Sequence, residues 1–151
     1  MAKIVFICTG NTCRSPMAEY LLRAMLGTGS GWSVESAGTL AGDGIPASPE
    51  AVQVLAEDEG IDLAPHRSRL LGEDIVSEAD LLVCMTAGHR ADILRHFASA
   101  QGKTFVLSDF AVEQDLGGVP DPVGRSLAVY RRTKDMIKLL LPDLVLFMKG
   151  M

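Results

Sequence analysis

The sequence predicts an α/β fold, a three-layer sandwich with a four-stranded parallel sheet and helices on both faces. Short β-branched or apolar runs alternate along the chain with stretches of helical periodicity. This alternation is typical of a parallel sheet that is covered on both sides. The 151 residues are 48% hydrophobic and 22% charged, which is the composition of a globular domain rather than of a disordered chain. We therefore expect residues 1–151 to form a single domain.

The first strand and the first helix have the clearest signals. Residues 3–7 (KIVFI) form a dense β-branched run, which indicates a buried strand. A polar loop follows. Ser15 and Pro16 then mark a helix start, with Ser15 as the N-cap and Pro16 as the first helical residue. Apolar side chains recur at helical spacing as far as Gly27, where we expect the helix to end.

The next elements follow from the same patterns. Apolar runs indicate strands, and proline or glycine indicates where helices begin and end. The expected strands are residues 32–35, 81–85 and 104–107, and the expected helices are residues 49–58, 72–78 and 88–98. Residues 40–48 and 109–121 contain several glycines and prolines, and we expect both segments to be mostly irregular.

A last helix is expected from about Ser126 onward. Pro142 should kink or end it, because an interior proline costs about 3 kcal/mol. The predicted apolar stripe consists of Val129, Met136, Ile137, Leu140, Leu141 and Leu144. The basic residues Arg131, Arg132, Lys134 and Lys138 are expected to lie largely outside that stripe.

Charge and cysteine content exclude several classes of protein. The net charge is -5, which argues against a broad basic surface for nucleic acid. The three cysteines are too few, and odd in number, for a disulfide scaffold, and they suit a reducing compartment. The apolar run near the N-terminus is too short for a signal peptide or a membrane span. We therefore expect a cytoplasmic protein that binds neither nucleic acid nor membrane.

The loop after the first strand carries the strongest chemical signal. Sites in open α/β sheets form at the carboxyl ends of strands, and a loop that closes onto a helix N-terminus points backbone N–H groups at an anion. Gly10 and Asn11 tolerate the left-handed conformations that such a loop needs. Arg14 adds a charged fork that suits phosphate oxygens. The same positive environment would stabilise a Cys8 thiolate, a nucleophile aimed at phosphorus.

Other readings of these residues are weaker. An isolated C-x5-R is more often a buried thiol and a surface arginine, but the position between a strand and a helix favours the anion site. The nucleotide-binding motif G-x4-G-K-[ST] is absent, and residues 27–32 (GTGSGW) lack the last glycine of G-x-G-x-x-G. The histidines His66, His89 and His96 do not have zinc-site spacing.

Residues 8–19 (CTGNTCRSPMAE) resemble the signature of the low-molecular-weight protein tyrosine phosphatases. Three further segments match this family in order and spacing: residues 36–39 (SAGT), residues 66–69 (HRSR) and Asp121-Pro122. The resemblance spans nearly the whole chain. It implies the four-stranded parallel sheet and a two-step mechanism through a cysteinyl-phosphate. It also implies phosphorylated protein substrates, inorganic phosphate as product, and neither a cofactor nor a metal.

The resemblance also implies a role for each matching residue. Cys8 resembles the nucleophile, Arg14 the clamp that stabilises the transition state, and Asp121 the general acid that later activates water. Ser15 resembles the hydroxyl that hydrogen-bonds the Cys8 sulfur. The backbone that would surround the phosphate belongs to Thr9, Gly10, Asn11, Thr12, Cys13 and Ser15. Asn11, Ser36 and His66 resemble a network that supports the strained loop.

We expect different roles for the other two cysteines. By resemblance, Cys13 could form a reversible disulfide with Cys8 under oxidation. The alternative is that Cys13 is only a small packed residue of the loop. Cys84 lies in an expected buried strand and is interpreted as a core residue.

Two positions bear on substrate choice. Thr12 stands where tyrosine phosphatases of this family usually carry an apolar branched residue, and it gives the pocket a polar wall. Val123 and Gly124 stand where aromatic residues are usual, so the stacking on a phenyl ring is lost. Thr12 and Gly124-x-Ser126 resemble the bacterial protein-arginine phosphatases of the family, although these usually keep an aromatic where Val123 stands. The leading hypothesis is a protein phosphatase that favours phosphoarginine, with Thr12 and Val123 as specificity residues.

Three alternatives accompany this hypothesis. The first is a phosphotyrosine phosphatase on the same scaffold. The second is an arsenate reductase, which needs resolving cysteines after the third strand, where the chain has none beyond Cys84. The third is a phosphoprotein-binding module without turnover, which would need neither the nucleophile Cys8 nor the acid Asp121.

Overall fold

Four parallel strands form the central sheet, as the alternating pattern predicts. The computed structural model describes residues 1–110 and 118–151. The strands are β1 (Ala2–Cys8), β2 (Trp32–Gly38), β3 (Leu81–Cys84) and β4 (Thr104–Val106). Their spatial order is β2-β1-β3-β4, so β1 pairs in parallel with both β2 and β3. The loop that follows β1 therefore emerges from the middle of the sheet.

Helices cover both faces of the sheet, which confirms the three-layer prediction. They are α1 (Arg14–Leu26), α2 (Pro49–Glu59), α3 (Glu73–Glu78), α4 (Ala87–His96) and α5 (Leu127–Lys149). Ile4 and Phe6 of β1 belong to the core that packs with α1, α2 and α5. Val5 and Ile7 belong to the core that packs with α3 and α4. Successive side chains of a strand point to opposite faces, so one strand serves both cores.

Most element boundaries agree with the predicted ones. Residues 40–48 contain no helix, and α2 ends at Gly60 in a left-handed conformation. β2 continues beyond its predicted end to Gly38, and Leu107–Phe110 forms a 3-10 turn. Of the segment that was expected to be irregular, residues 111–117 lie outside the described residues, and Gly118 to Asp121 are irregular.

The prediction that Ser15 caps α1 is wrong. The helix begins at Arg14, and its N-cap is Cys13, which makes no side-chain capping hydrogen bond. Ser15 is buried in the first turn, where its hydroxyl contacts Cys8 Sγ instead of a free helix N–H. Pro16 remains compatible with the helix because the first four N–H groups have no partner within it.

The expectation that Pro142 could end the last helix is also wrong. α5 continues through Pro142 to Lys149. Pro142 lies on the exposed side, while Leu141 and Leu144 beside it are fully buried. Their burial, worth about 1.5–3 kcal/mol per side chain, offsets the cost of the missing hydrogen bond. No helix among residues 1–110 and 118–151 is long and apolar enough to cross a membrane.

Lys134 is buried, although the sequence predicts it outside the apolar stripe of α5. Its side chain is 4% exposed, and Nζ lies 3.1 Å from Asp58, 3.0 Å from Glu59 and 2.6 Å from Asp135. Burial lowers the pKa of Lys134, but hydrogen bonds with Asp135, Glu59 and Asp58 outweigh burial and raise that pKa above its ordinary value. Its aliphatic stem packs like an apolar residue while its ammonium joins α5 to α2.

Candidate active site

The loop of residues 8–15 (the 8–15 loop) lies against the end of β2. The N–H of Thr39 donates to the carbonyl of Cys8, and the N–H of Leu40 donates to the carbonyl of Thr9, both at 3.0 Å. A Cβ at Gly38 would overlap the carbonyl oxygen of Thr9 and lie 3.0 Å from the nitrogen of Asn11. Only glycine allows this close approach of the two backbones.

Asn11 holds the tightest bend of the 8–15 loop. Among the non-glycine residues that the structure describes, it alone has a positive φ, 56°. This left-handed conformation costs of order 1–3 kcal/mol and persists only where surrounding contacts enforce it. Asn11 is fully buried, so those contacts come from the protein.

The side chain and carbonyl of Asn11 bind four neighbours. Nδ2 donates to Ser15 Oγ at 2.8 Å and to Ser36 Oγ at 2.9 Å. Oδ1 accepts the N–H of Arg69 at 3.0 Å. The carbonyl of Asn11 accepts a hydrogen bond from His66 Nε2 at 2.8 Å. The structure therefore brings together the three residues that the sequence assigns to a supporting network, Asn11, Ser36 and His66.

The network extends to residues that the sequence analysis did not single out. Ser36 Oγ donates to Oε1 of Glu19, which is 5% exposed. Arg69 also donates through Nε to the carbonyl of Ser36 at 2.9 Å. Glu19 and Arg69 both lie within segments that match the family signature, so the signal that could have identified them was membership of those segments.

Cys8 and Ser15, the two end residues of the 8–15 loop, face each other. Cys8 Sγ lies 2.9 Å from Ser15 Oγ, and both residues are buried. The Ser15 oxygen accepts a hydrogen bond from Asn11 Nδ2, so its own proton is available to donate to the sulfur. A hydroxyl that donates to sulfur stabilises negative charge there. This is the geometry expected of a reactive thiolate and its hydrogen-bond donor.

Arg14 is buried and keeps one hydrogen-bond donor without a partner among the residues that the structure describes. Nη1 donates to the carbonyl of Val119 at 3.0 Å, and Nη2 lies 3.7 Å from Oδ2 of Asp121. Within residues 1–110 and 118–151, Arg14 Nε is the one buried side-chain N or O atom without a hydrogen-bond partner. A buried donor without a partner in a native fold requires an explanation, and an oxyanion above Cys8 would supply the missing acceptor.

Several backbone N–H groups of the 8–15 loop are also without an acceptor among the described residues. In the described part of the chain, no acceptor is found for the N–H groups of Gly10, Asn11, Thr12 and Cys13. Unpaired N–H groups at the start of a helix form a favourable site for an anion. With the guanidinium of Arg14, they provide several positive or partly positive groups around one position.

Asp121 stands at the open side of the site. Its carboxylate is 49% exposed, and Oδ1 accepts the N–H of Val123 at 3.0 Å. That turn fixes the carboxylate close to Arg14 while leaving it accessible to a ligand. Val123 itself is 59% exposed, so it is a surface residue next to the acid and not part of a packed wall.

Cys13 and Cys84 have different surroundings. Cys13 Sγ lies 3.4 Å from both Ser48 Oγ and Tyr130 Oη and 3.7 Å from Thr12 Oγ1. Its thiol and that of Cys8 are free and buried, and the disulfide between them stays a prediction. Cys84 is fully buried in β3, and burial raises its pKa to about 12, which confirms that it is a core residue.

Two buried histidines border the 8–15 loop, and burial lowers the pKa of both. Burial lowers the pKa of His66, and its hydrogen bond to the Asn11 carbonyl opposes this only in part. Burial and then the positive charge of Arg14 lower the pKa of His89 to about 4, against the weaker opposing effects of Asp92 and Asp121. His89 was considered in the sequence only as a metal ligand, and nothing in its local sequence indicates a place beside this loop.

Stability is expected to fall as the pH decreases from 6.5 toward 4. In this window, an unfolded chain protonates His89 with its ordinary pKa of 6.5, whereas the folded protein does so only near 4. The unfolded state then binds more protons, so the free energy of unfolding decreases as the pH falls and is highest above pH 6.5. Urea unfolding at pH 7 and at pH 4.5 measures this. The decrease should be smaller in His89→Gln, and an identical decrease in both proteins would contradict it.

Residues 3–149 match the family described as low molecular weight phosphotyrosine protein phosphatase. A protein-arginine-phosphatase of Geobacillus stearothermophilus is 42% identical over 142 residues, which cover 94% of this chain and 93% of that protein. A probable low molecular weight protein-tyrosine-phosphatase of Ralstonia nicotianae is 38% identical over 135 residues, covering 89% of this chain and 88% of that protein.

Solved structures agree with this assignment. The YwlE arginine phosphatase of Geobacillus stearothermophilus superposes with a TM-score of 0.90 at 39% identity, covering 99% of this chain and 94% of that one. A YwlE arginine phosphatase mutant with a phosphorylated active site serine has a TM-score of 0.90 at 37% identity, covering 97% and 95%. The chain therefore belongs to the low molecular weight phosphotyrosine protein phosphatase family.

Proposed function

We propose that this protein hydrolyses phosphorylated side chains of proteins through a phosphoryl group held on Cys8, and that phosphoarginine is its preferred substrate. The observation that carries the reaction type is the arrangement around Cys8 Sγ. A buried thiol with its own hydroxyl donor lies within one loop with a buried arginine whose Nε has no partner. Such a site suits a phosphoryl group with three negatively charged oxygens.

In the first step, the Cys8 thiolate attacks phosphorus and forms the S–P bond. The P–N bond to the arginine substrate breaks, or the P–O bond in a phosphotyrosine, and the leaving atom takes its proton from Asp121. Arg14 and the N–H groups of the loop stabilise the charge on the equatorial oxygens. The distance of 3.7 Å between Arg14 Nη2 and Asp121 Oδ2 supports this role, because the carboxyl group lies beside the guanidinium that would bind the oxyanion.

In the second step, water attacks the phosphorus of the phosphorylated Cys8. Asp121 accepts a proton from that water, the S–P bond breaks, and inorganic phosphate leaves. Ser15 donates to the departing sulfur and stabilises the thiolate. The related YwlE mutant with a phosphorylated active site serine supports this route, because it carries a phosphoryl group on an active-site side chain.

The preference for phosphoarginine is argued from Thr12. Within the described residues, the one hydrogen-bond partner of its hydroxyl is Cys13 Sγ, at 3.7 Å, so the hydroxyl can still bind a ligand. A guanidinium group carries N–H donors that need acceptors, and the Thr12 hydroxyl offers one. Val123 provides no aromatic ring to stack on a phenol. The relative with 42% identity, a protein-arginine-phosphatase, supports the same assignment.

Thr12→Ile is expected to change the preference between substrates. The kcat/KM for a phosphoarginine peptide should fall about tenfold or more, because the guanidinium then faces an apolar wall with an unpaired donor. The kcat/KM for the matched phosphotyrosine peptide should stay the same or rise. Steady-state kinetics with two peptides of one sequence measures both values.

Thr12→Ser is the matched control for this experiment. It keeps the hydroxyl and removes only a methyl group, so the ratio of the two kcat/KM values should stay close to that of the wild type. An equal change for both peptides in Thr12→Ile would show that Thr12 does not select the substrate. A wild type that turns over phosphotyrosine faster would favour the phosphotyrosine phosphatase instead.

A further inference from the structure

His89 joins the 8–15 loop to a different part of the sheet from the Asn11 network. Its imidazole lies on α4 and is 6% exposed. Nε2 lies 2.8 Å from Thr9 Oγ1, and Nδ1 lies 3.0 Å from Thr86 Oγ1. Both ring nitrogens therefore have partners, one in the loop and one at the start of α4.

The hydrogen bonds of Thr86 indicate which nitrogen carries the proton. Thr86 is the N-cap of α4, and its Oγ1 accepts the backbone N–H of His89 at 3.3 Å. Its own proton is then available to the acceptor Nδ1, which leaves the proton of the neutral ring on Nε2. Nε2 donates to Thr9 Oγ1, and the Thr9 hydroxyl keeps its own proton for another acceptor.

The rest of the protein makes more side-chain hydrogen bonds to one side of the loop than to the other. Around Asn11, hydrogen bonds come from Ser36, His66 and Arg69. On the side of Thr9, His89 supplies the one side-chain hydrogen bond among the described residues, beside the backbone bonds from the N–H groups of Thr39 and Leu40. Thr9 directly follows the thiol of Cys8, so its orientation decides where the first part of the loop lies.

We propose that His89 is a positioning residue of the active site, which holds Thr9 so that the loop keeps the shape that binds the phosphoryl group. The inference rests on the proposed function, in which this loop surrounds a phosphate. The 2.8 Å contact between His89 Nε2 and Thr9 Oγ1 places His89 beside the first part of the loop. Its role is exerted through Thr9 and requires no contact with the substrate.

The test is direct binding of inorganic phosphate, measured by isothermal titration calorimetry, so that it does not depend on turnover. His89→Ala is expected to raise the Kd for phosphate about tenfold, because one hydrogen bond that orders the loop is lost. The KM for a phosphorylated peptide should rise in parallel. A merely structural role would instead lower the folded fraction and leave the Kd of the folded protein unchanged.

Three further variants make the test specific. His96→Ala removes an exposed imidazole from the same helix and should leave the Kd unchanged. His89→Gln, which keeps a donor on a side chain of similar length, should recover most of the affinity. Thr9→Val should weaken binding as much as His89→Ala, and the double variant should be no weaker than either single variant.

The outcomes separate this inference from the proposed function. An unchanged Kd in both His89→Ala and Thr9→Val would overturn it, as would losses that add in the double variant. If His89→Ala does not fold, Thr9→Val alone decides, because it removes the same hydrogen bond and keeps the imidazole. A wild type that does not bind phosphate at all would contradict the proposed function itself.

Discussion

Replacement of Cys8 by serine is expected to lower kcat by at least about 10⁴-fold, because the attacking thiolate is replaced by a poorly ionised hydroxyl. The fold should be kept, since the change is nearly isosteric and Ser15 Oγ, 2.9 Å from the sulfur, can bond either atom. Release of inorganic phosphate from a phosphopeptide measures the effect. Mass spectrometry of the variant after incubation with the peptide should detect chains that carry one phosphoryl group at position 8.

Cys84→Ala is the control for the Cys8 experiment. It removes a thiol that is fully buried in β3, within a core that packs against α3 and α4. Its activity should stay near that of the wild type, which would show that the loss in Cys8→Ser does not come from removing any cysteine. More than about a hundredth of the wild-type kcat in Cys8→Ser would contradict the role of Cys8 as nucleophile.

Arg14→Lys is expected to lower kcat/KM by about 10²- to 10³-fold. Lysine keeps the positive charge but lacks the planar fork, so it cannot present two fixed N–H donors to one oxyanion. The hydrogen bond to the carbonyl of Val119 is also lost, and with it the fixed position of the charge. Steady-state kinetics with a phosphopeptide measures the loss, and the inhibition constant of phosphate should rise with it.

Arg95→Lys is the control for Arg14→Lys, because it makes the same substitution at an exposed position. Arg95 lies on α4 with a side chain that is 66% exposed and pairs with Asp92, and such exposed pairs contribute little. Its kinetics should match the wild type. If kcat/KM falls less than about tenfold in Arg14→Lys, a positive charge alone is sufficient at position 14. That result would contradict the bidentate role of Arg14.

The sheet was predictable because β1 and β3 consist mainly of apolar residues and the strands alternate with helices along the chain. β1 needs side chains for two cores, Ile4 and Phe6 for one and Val5 and Ile7 for the other, and a continuous apolar run is the direct signature of such a strand. The last helix was less predictable. Lys134 is buried because acidic residues of α2 lie next to it, and no pattern within α5 carries that information.

The candidate site was likewise predictable only in part. Cys8, Arg14 and Ser15 lie in one short segment between a strand and a helix, so the local sequence was sufficient to indicate an anion site. The partners that hold the loop come from distant segments, such as Arg69, 58 residues from Asn11, and His89, 80 residues from Thr9. Such contacts depend on which strands become neighbours, and only the fold determines that.

The wrong expectation for Ser15 has an instructive cause. Serine before a proline at a helix start is the usual signature of an N-cap. Here the Cys8 sulfur and the Asn11 amide lie 2.9 Å and 2.8 Å from its hydroxyl, so it bonds inside the site. The local rule failed at a residue to which we assign a role in the proposed reaction.

The central claim, hydrolysis with a preference for phosphoarginine, is tested most directly by competition in one reaction. The wild-type protein is given equal concentrations of two peptides of the same sequence, one with phosphoarginine and one with phosphotyrosine, and mass spectrometry follows the loss of each. The ratio of the two rates is the ratio of the kcat/KM values. We expect the phosphoarginine peptide to be consumed at least about tenfold faster. Faster consumption of the phosphotyrosine peptide would contradict the claim.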